Sequence, residues 1–236
     1  MKTKRLINNK IIALILGLIL AAATLLTACS TGEIASVIAT PDAGVFEKTD
    51  DTATEEPEYT VTQSPELDSD DVKTDFSETG STTITLDGDA IEVSGSGAVV
   101  TGSTVTILQS GTYTLSGTLE EGQVIVNSED EETVFLVLNG VSIHSSNSAA
   151  IYVLNADKTV ISLAEGTENY LSDKDTHVFA DTEDQEPDSV LFSEDDLVIN
   201  GSGSLTVEAN FLHGIVGKDD LTIVSGNIKV TAVSDG

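Results

Sequence analysis

Acidic side chains are the concentrated chemistry of this chain, and they gather in three places: Glu129 to Glu132, Asp181 to Asp188, and the doublets Asp195-Asp196 and Asp219-Asp220. The two doublets stand 24 residues apart, and each leads into a Leu-x-Ile strand start. If the chain stacks with that period, their carboxylates come within a strand spacing of each other, repel, and raise one another's pKa. A hard cation relieves such repulsion, and Ca2+, which takes about six to eight oxygen ligands, is the expected one outside a cell. Asp195, Asp196, Asp219 and Asp220, with the adjacent Glu194, are therefore the expected metal ligands. The alternative is plain turn chemistry, in which an Asp before a strand bonds nearby backbone. The residue types alone leave both readings open.

Lys218 and His213 lie beside the second doublet and are the candidate contacts to a bound ligand. His213 directly precedes Gly214 and also reads as a turn residue facing solvent. His144, His177 and His213 are far apart with no cysteine partner nearby, so zinc is not expected. Neither a phosphate-binding loop, a dinucleotide fingerprint nor a Gly-x-Ser-x-Gly nucleophile elbow is present.

The elements that must position these residues are short strands. Runs of alternating β-branched residues, separated by Gly, Ser, Asn and Asp, include Thr82 to Leu86, Thr104 to Leu108, Thr112 to Leu115 and Gln123 to Val126. They continue through Val134 to Leu138, Ile151 to Leu154, Thr159 to Leu163 and Val190 to Phe192. No window sustains a helical period, so the fold is all-β, and the choice lies between a sandwich and a solenoid. The end of the chain decides it, because Leu197 and Leu221 are 24 apart, Ile199 and Ile223 are 24 apart, and Leu205 and Ile228 are 23 apart. Such residues stack like on like in a right-handed parallel β-helix whose coils are about 4.8 Å apart. Thr206 and Lys229, at alternating positions, then face solvent. Gly214 recurs as Gly236 at the same bend, and the length after residue 80 accommodates about six coils. The chain stops inside a repeat, so the β-helix of residues 80–236 is expected to be incomplete.

The first 28 residues place Lys2, Lys4, Arg5 and Lys10 before an apolar run, Ile11 to Leu26, that ends at Leu26-Thr27-Ala28-Cys29. This is the pattern of a lipoprotein signal peptide, with Cys29 lipid-modified as the new N-terminus and anchored to the membrane. Cys29 is the only cysteine, so no intramolecular disulfide forms. Residues 29–79 carry prolines among Ser, Thr, Asp and Glu without a period, and read as a solvated tether. Losing the signal takes the net charge from −30 to −34. Such a surface repels nucleic acid and anionic lipid, and meets anionic polymers only through bridging cations.

Leu191-Phe192-Ser193-Glu194-Asp195-Asp196-Leu197-Val198-Ile199, then Gly201 to Val207, His213-Gly214-Ile215 and Lys218 to Ile223, resemble a family of secreted bacterial carbohydrate-binding proteins. The resemblance is strong over about residues 130–236 and fainter over 80–130. It implies a pectate-lyase-like right-handed parallel β-helix that binds calcium and an acidic polysaccharide such as polygalacturonate, as a surface-displayed, extracytoplasmic lipoprotein. A protein this acidic would hold a polyanion only where Ca2+ bridges the two sets of carboxylates. Two other classes stay open. One is a polysaccharide lyase or hydrolase on the same scaffold, with Lys218 or Lys174 as the base of the lyase; the mature chain has no Arg for that role. The other is a structural or adhesive stalk, consistent with the absence of Trp.

Overall fold

The computed structural model describes residues 66–76, 80–179 and 185–233, all within one compact unit, Tyr59–Gly236. The signal peptide, Cys29 and the tether up to residue 65 lie outside the described residues.

The described chain is all-β. It opens with two antiparallel hairpins, β1 (Thr82–Gly88) with β2 (Ala90–Ser94) and β3 (Ala98–Thr101) with β4 (Thr104–Ile107). Every other strand pairing is parallel. β5 (Gly111–Leu119), β6 (Gln123–Asn127) and β7 (Val134–Ser145) come next. Three triplets follow: β8 (Ile151–Asn155), β9 (Lys158–Leu163) and β10 (Glu168–Asp173); β11 (Ser189–Ser193), β12 (Asp196–Gly201) and β13 (Ser204–Ala209); β14 (His213–Gly217), β15 (Leu221–Ile223) and β16 (Asn227–Ala232).

Hydrogen bonding sorts these strands into three columns. The first runs through the leading halves of β1, β5 and β7 to β9, β12 and β15. The second runs through the trailing halves of the same long strands to β10, β13 and β16. The third, in a separate sheet, orders β3, β4, β6, β8, β11 and β14. Because β5 and β7 continue from the first column into the second, those two columns form one sheet. In later rungs the passage is a tight turn instead. At Gly201, φ is +104° and a Cβ would collide with the Leu163 carbonyl oxygen, so the Gly-Ser-Gly turn sits directly on the turn beneath it.

The expected partners are the observed ones: Leu197 opposite Leu221, Ile199 opposite Ile223, and Leu205 opposite Ile228. Inward rows such as Leu136, Ile161 and Ile199 are fully buried, and each such side chain contributes roughly 1.5–3 kcal/mol of burial. Leu221 and Ile223, by contrast, are 40% and 54% exposed, because no described rung stacks beyond β15.

The first column is apolar on both faces, since Phe135, Val160 and Val198 point away from the main core. A parallel sheet with two apolar faces needs a cover on each. Here the cover is the segment 66–76, which the sequence places in the tether. Phe76 packs on Phe135 with ring centroids 5.3 Å apart, and the Lys73 ammonium lies 4.6 Å from the Phe135 ring centre. Asn200 donates from Nδ2 to the carbonyls of Asp71 and Lys73, each at 2.9 Å. Thr133 donates to Asp70 at 2.7 Å. Lys158 Nζ bridges Asp68 at 2.7 Å and Asp71 at 2.8 Å. The ordered domain thus reaches back to residue 66.

A candidate carbohydrate-binding corner

Each triplet passes from the third column to the first through a short polar turn: Ala156 to Lys158, Glu194 to Asp196, and Lys218 to Asp220. These turns stack. Glu194 N–H donates to the Val153 carbonyl and Lys218 N–H to the Ser193 carbonyl, each at 2.9 Å, and Leu197 N–H donates to the Asp220 carbonyl at 2.9 Å. The ladder fixes the corner residue by residue, and Asp196 stands opposite Lys158 in the rung below.

The five expected metal ligands share this corner but not one cage. Asp195 is spent on the turn: its Oδ2 accepts from Ala156 N–H at 2.9 Å, while its carbonyl accepts from Ser193 Oγ at 2.7 Å. That is the plain turn role. Asp196 and Asp220 line one cavity: burial pushes the Asp196 carboxyl up, the Asp220 charge pushes it further, and a hydrogen bond from the Asp220 backbone partly offsets both. Asp219 adds a weaker repulsion. A cavity of about 360 Å³ opens here toward the covering segment, lined by Glu66, Asp71, Lys158, Asp196 and Asp220.

Glu194 turns to the third column instead. It accepts from the Tyr152 hydroxyl at 3.4 Å and lies 3.9 Å from Lys218 Nζ. Lys218 is held more closely by Glu186, at 2.6 and 2.8 Å. Burial raises the Glu194 carboxyl, helped by the Glu186 and Asp195 charges and opposed by Lys218. Tyr152 is pushed up to about 12, first by burial and then by the Glu194 charge. Its ring meets Phe192 edge-on at 5.7 Å.

Among the described residues, no group of three or more His, Cys, Asp or Glu is arranged to hold a metal ion. The five expected ligands are divided: Asp196 and Asp220 face the covering segment, Asp195 closes a turn, and Glu194 faces the third column. The corner presents carboxylate pairs, Asp196 with Asp220 and Glu186 with Glu194, each beside one lysine.

The two candidate ligand contacts are separated as well. His213 begins β14 and Lys218 follows its end, about 16 Å apart in an extended strand. His213 is exposed and lies 3.8 Å from Asp188, but it is the first residue of a strand and not part of a turn. His177 is buried instead: it stacks on Phe211, with ring centroids 4.5 Å apart, and contacts Asp173 at 3.0 Å.

Tyr152 and Lys158 escaped the sequence reading, and Glu186 was seen only as one member of the acidic run Asp181 to Asp188. Tyr152 carries the outward signal of an alternating strand, Ile151-Tyr152-Val153. Lys158 is the rung partner of Asp196, but residues 174–188 lengthen that repeat to 38 residues and hide the equivalence.

A family model described as carbohydrate-binding domain-containing protein matches residues 101–236. A carbohydrate-binding domain-containing protein of Acetivibrio thermocellus is 41% identical over 150 residues, 63% of this chain and 52% of that protein. The chain thus spans about half the length of this curated relative. A solved structure described as the polysaccharide lyase-like protein from C. thermocellum, in a gadolinium derivative, is similar with a TM-score of 0.62 and 40% identity. That match covers 64% of this chain and 62% of the solved one. By the family match over more than half its length, the chain belongs to the carbohydrate-binding domain-containing proteins.

Proposed function

We propose that this protein is a non-catalytic, surface-anchored binder of acidic polysaccharide of the polygalacturonate type, and that its carbohydrate meets the stacked corner between the third and first columns. The observation that carries the reading is the convergence there of the paired carboxylates Asp196 and Asp220 with Lys158, and of Glu186 and Glu194 with Lys218. Two carboxylates are too few for a closed calcium cage, and they suit a cation whose remaining ligands come from the sugar's own carboxylates. When bound, such an ion supplies the positive charge that this acidic surface lacks. The similar C. thermocellum structure is a gadolinium derivative, and a lanthanide, like calcium, is a hard ion that favours oxygen ligands.

A right-handed parallel β-helix is the matching fold, supported by the three parallel columns and by the strong preference of parallel crossovers for the right hand. Lipid attachment at Cys29 would hold the domain at the membrane, with residues up to 65 as the spacer. The enzyme reading is weaker. Lys218, the nearest candidate base, is ion-paired to two carboxylates, and a lyase step would first have to break that arrangement.

Electrophoresis through gels containing polygalacturonate tests the corner. Wild-type protein is expected to be retarded in calcium, and a paired Asp196→Asn, Asp220→Asn variant to lose most of that retardation. Retardation unchanged in the paired variant would move the site elsewhere. Accumulation of unsaturated sugar product during the run would instead establish a lyase.

A further inference from the structure

The outer face of the second column carries a groove of a different character. Its rungs align Thr118, Ser142, Tyr170, Thr206 and Lys229 in one row, and Glu168, Ser204 and Asn227 in the next. The alternating inward residues Ile143, Leu171 and Val207 are fully buried, so these rows face out. An open cavity of about 580 Å³ follows them, within the range of ordinary small-ligand sites, about 300–1,000 Å³.

Two features make the groove a built surface. Tyr170 is half-exposed, and its hydroxyl donates to Glu208 at 2.6 Å, which anchors the ring on the face. Beneath it, the buried side chain of Asn169 ties three rungs together. Its Oδ1 accepts from the Gly140 and Val141 amides at 3.0 Å each, and its Nδ2 donates to the Ser204 carbonyl at 3.1 Å and to Thr167 at 3.2 Å. The floor is therefore held in register without a ligand.

The chemistry differs from that of the corner. The lining holds one acid, Glu168, and one base, Lys229, with Glu208 beside it on the Tyr170 hydroxyl, and the rest is hydroxyl, amide, Gly140, Val141 and one aromatic ring. A sugar offers hydroxyls to such groups and an apolar ring face to a tyrosine. The rows cross the strands, and Tyr170 and Lys229 stand two rungs apart, about 9.6 Å at ordinary strand spacing. That span accommodates about two sugars of an extended chain.

We propose that this groove is a second carbohydrate site, which takes an uncharged glycan chain lying along the stack, with one sugar on the Tyr170 ring and no metal required. It is separate from the corner in its residues, its charge and its independence of cations. A polymer mixture presenting both acidic and uncharged chains would engage the two faces together, and linked sites gain avidity.

The test is isothermal titration of cellohexaose, xylohexaose and mannohexaose into the full chain in EDTA. At least one is expected to bind, and Tyr170→Ala to weaken it severalfold, up to about tenfold, the worth of one ring contact. Tyr170→Phe keeps the ring and should retain most of the affinity. Unchanged melting temperatures and unchanged polygalacturonate retardation would show that the Tyr170 variants are folded and the corner intact. Absence of binding to all three hexasaccharides, or undiminished binding by a folded Tyr170→Ala variant, overturns the second site. Neither result touches the acidic-polysaccharide reading, which is tested separately by polygalacturonate itself, in calcium and in EDTA.

Discussion

Asp195 and Asp196 are adjacent in the chain and do different work, one closing a turn on Ala156 and the other facing Asp220. The doublet was legible because an uninterrupted 24-residue repeat aligns Leu197 with Leu221. Which member pairs across rungs was not, because that depends on how the turn rotates each carboxylate. The two substitutions should therefore differ in sign. Asp195→Ala removes an acceptor from a backbone N–H and should cost about 1 kcal/mol in urea unfolding. Asp196→Asn relieves repulsion and should leave stability unchanged or slightly raised without calcium. The same argument sets a pH dependence. Asp196 and Glu194 have raised carboxyls, so the folded protein holds these protons more tightly than the unfolded chain. Their contribution is absent above their raised folded values, grows as pH falls through them, and is complete below the unfolded values.

The covering segment 66–76 was invisible to sequence reading for a physical reason. It has no period, and its hold comes from single contacts: Phe76 on Phe135, two backbone carbonyls on Asn200, and two carboxylates on Lys158. Lys158 is drawn down by burial, yet the hydrogen bonds it donates to Asp68 and Asp71 outweigh that and hold the ammonium well above its ordinary range. Lys158→Met would leave Asp71, whose side chain is only 7% exposed, without its ammonium partner and with only the Asp68 N–H at 3.0 Å. That should cost about 2–3 kcal/mol, below the range for a fully buried pair because Lys158 keeps some solvent contact. Hydrogen exchange over 66–76 should accelerate in this variant, while exchange in β13 stays slow. Acid should act similarly. The Lys158 hydrogen bond, with backbone donors from Asp70 and Asp71, holds the Asp68 carboxyl below its ordinary value. Its contribution is present above the unfolded pKa, about 4, and is lost as pH falls through the depressed folded value. Exchange of the segment should therefore rise below about pH 4.

At the scale of the molecule, stacking turns a linear repeat into both scaffold and site. The all-β class, the parallel pairing and the inward ladders followed from the spacing of Leu, Ile and Val, because interior rows require like residues at one period. The antiparallel opening hairpins were not legible, since alternating strands look the same whichever way their neighbours run. β10 was missed too, because Glu168-Asn169-Tyr170 is polar on its outward face and Asn169 is buried only through its hydrogen bonds. The turns carry the stack's tolerance limit: Gly201→Ala forces a Cβ against the Leu163 carbonyl and should cost more than about 1 kcal/mol.

The most direct measurement of the central claim is calorimetric titration of polygalacturonate into the protein, first in millimolar calcium, then in excess EDTA, then with calcium restored. The account predicts binding in calcium, its loss in EDTA and its return. Undiminished binding in EDTA, or none in any of the three conditions, would contradict it.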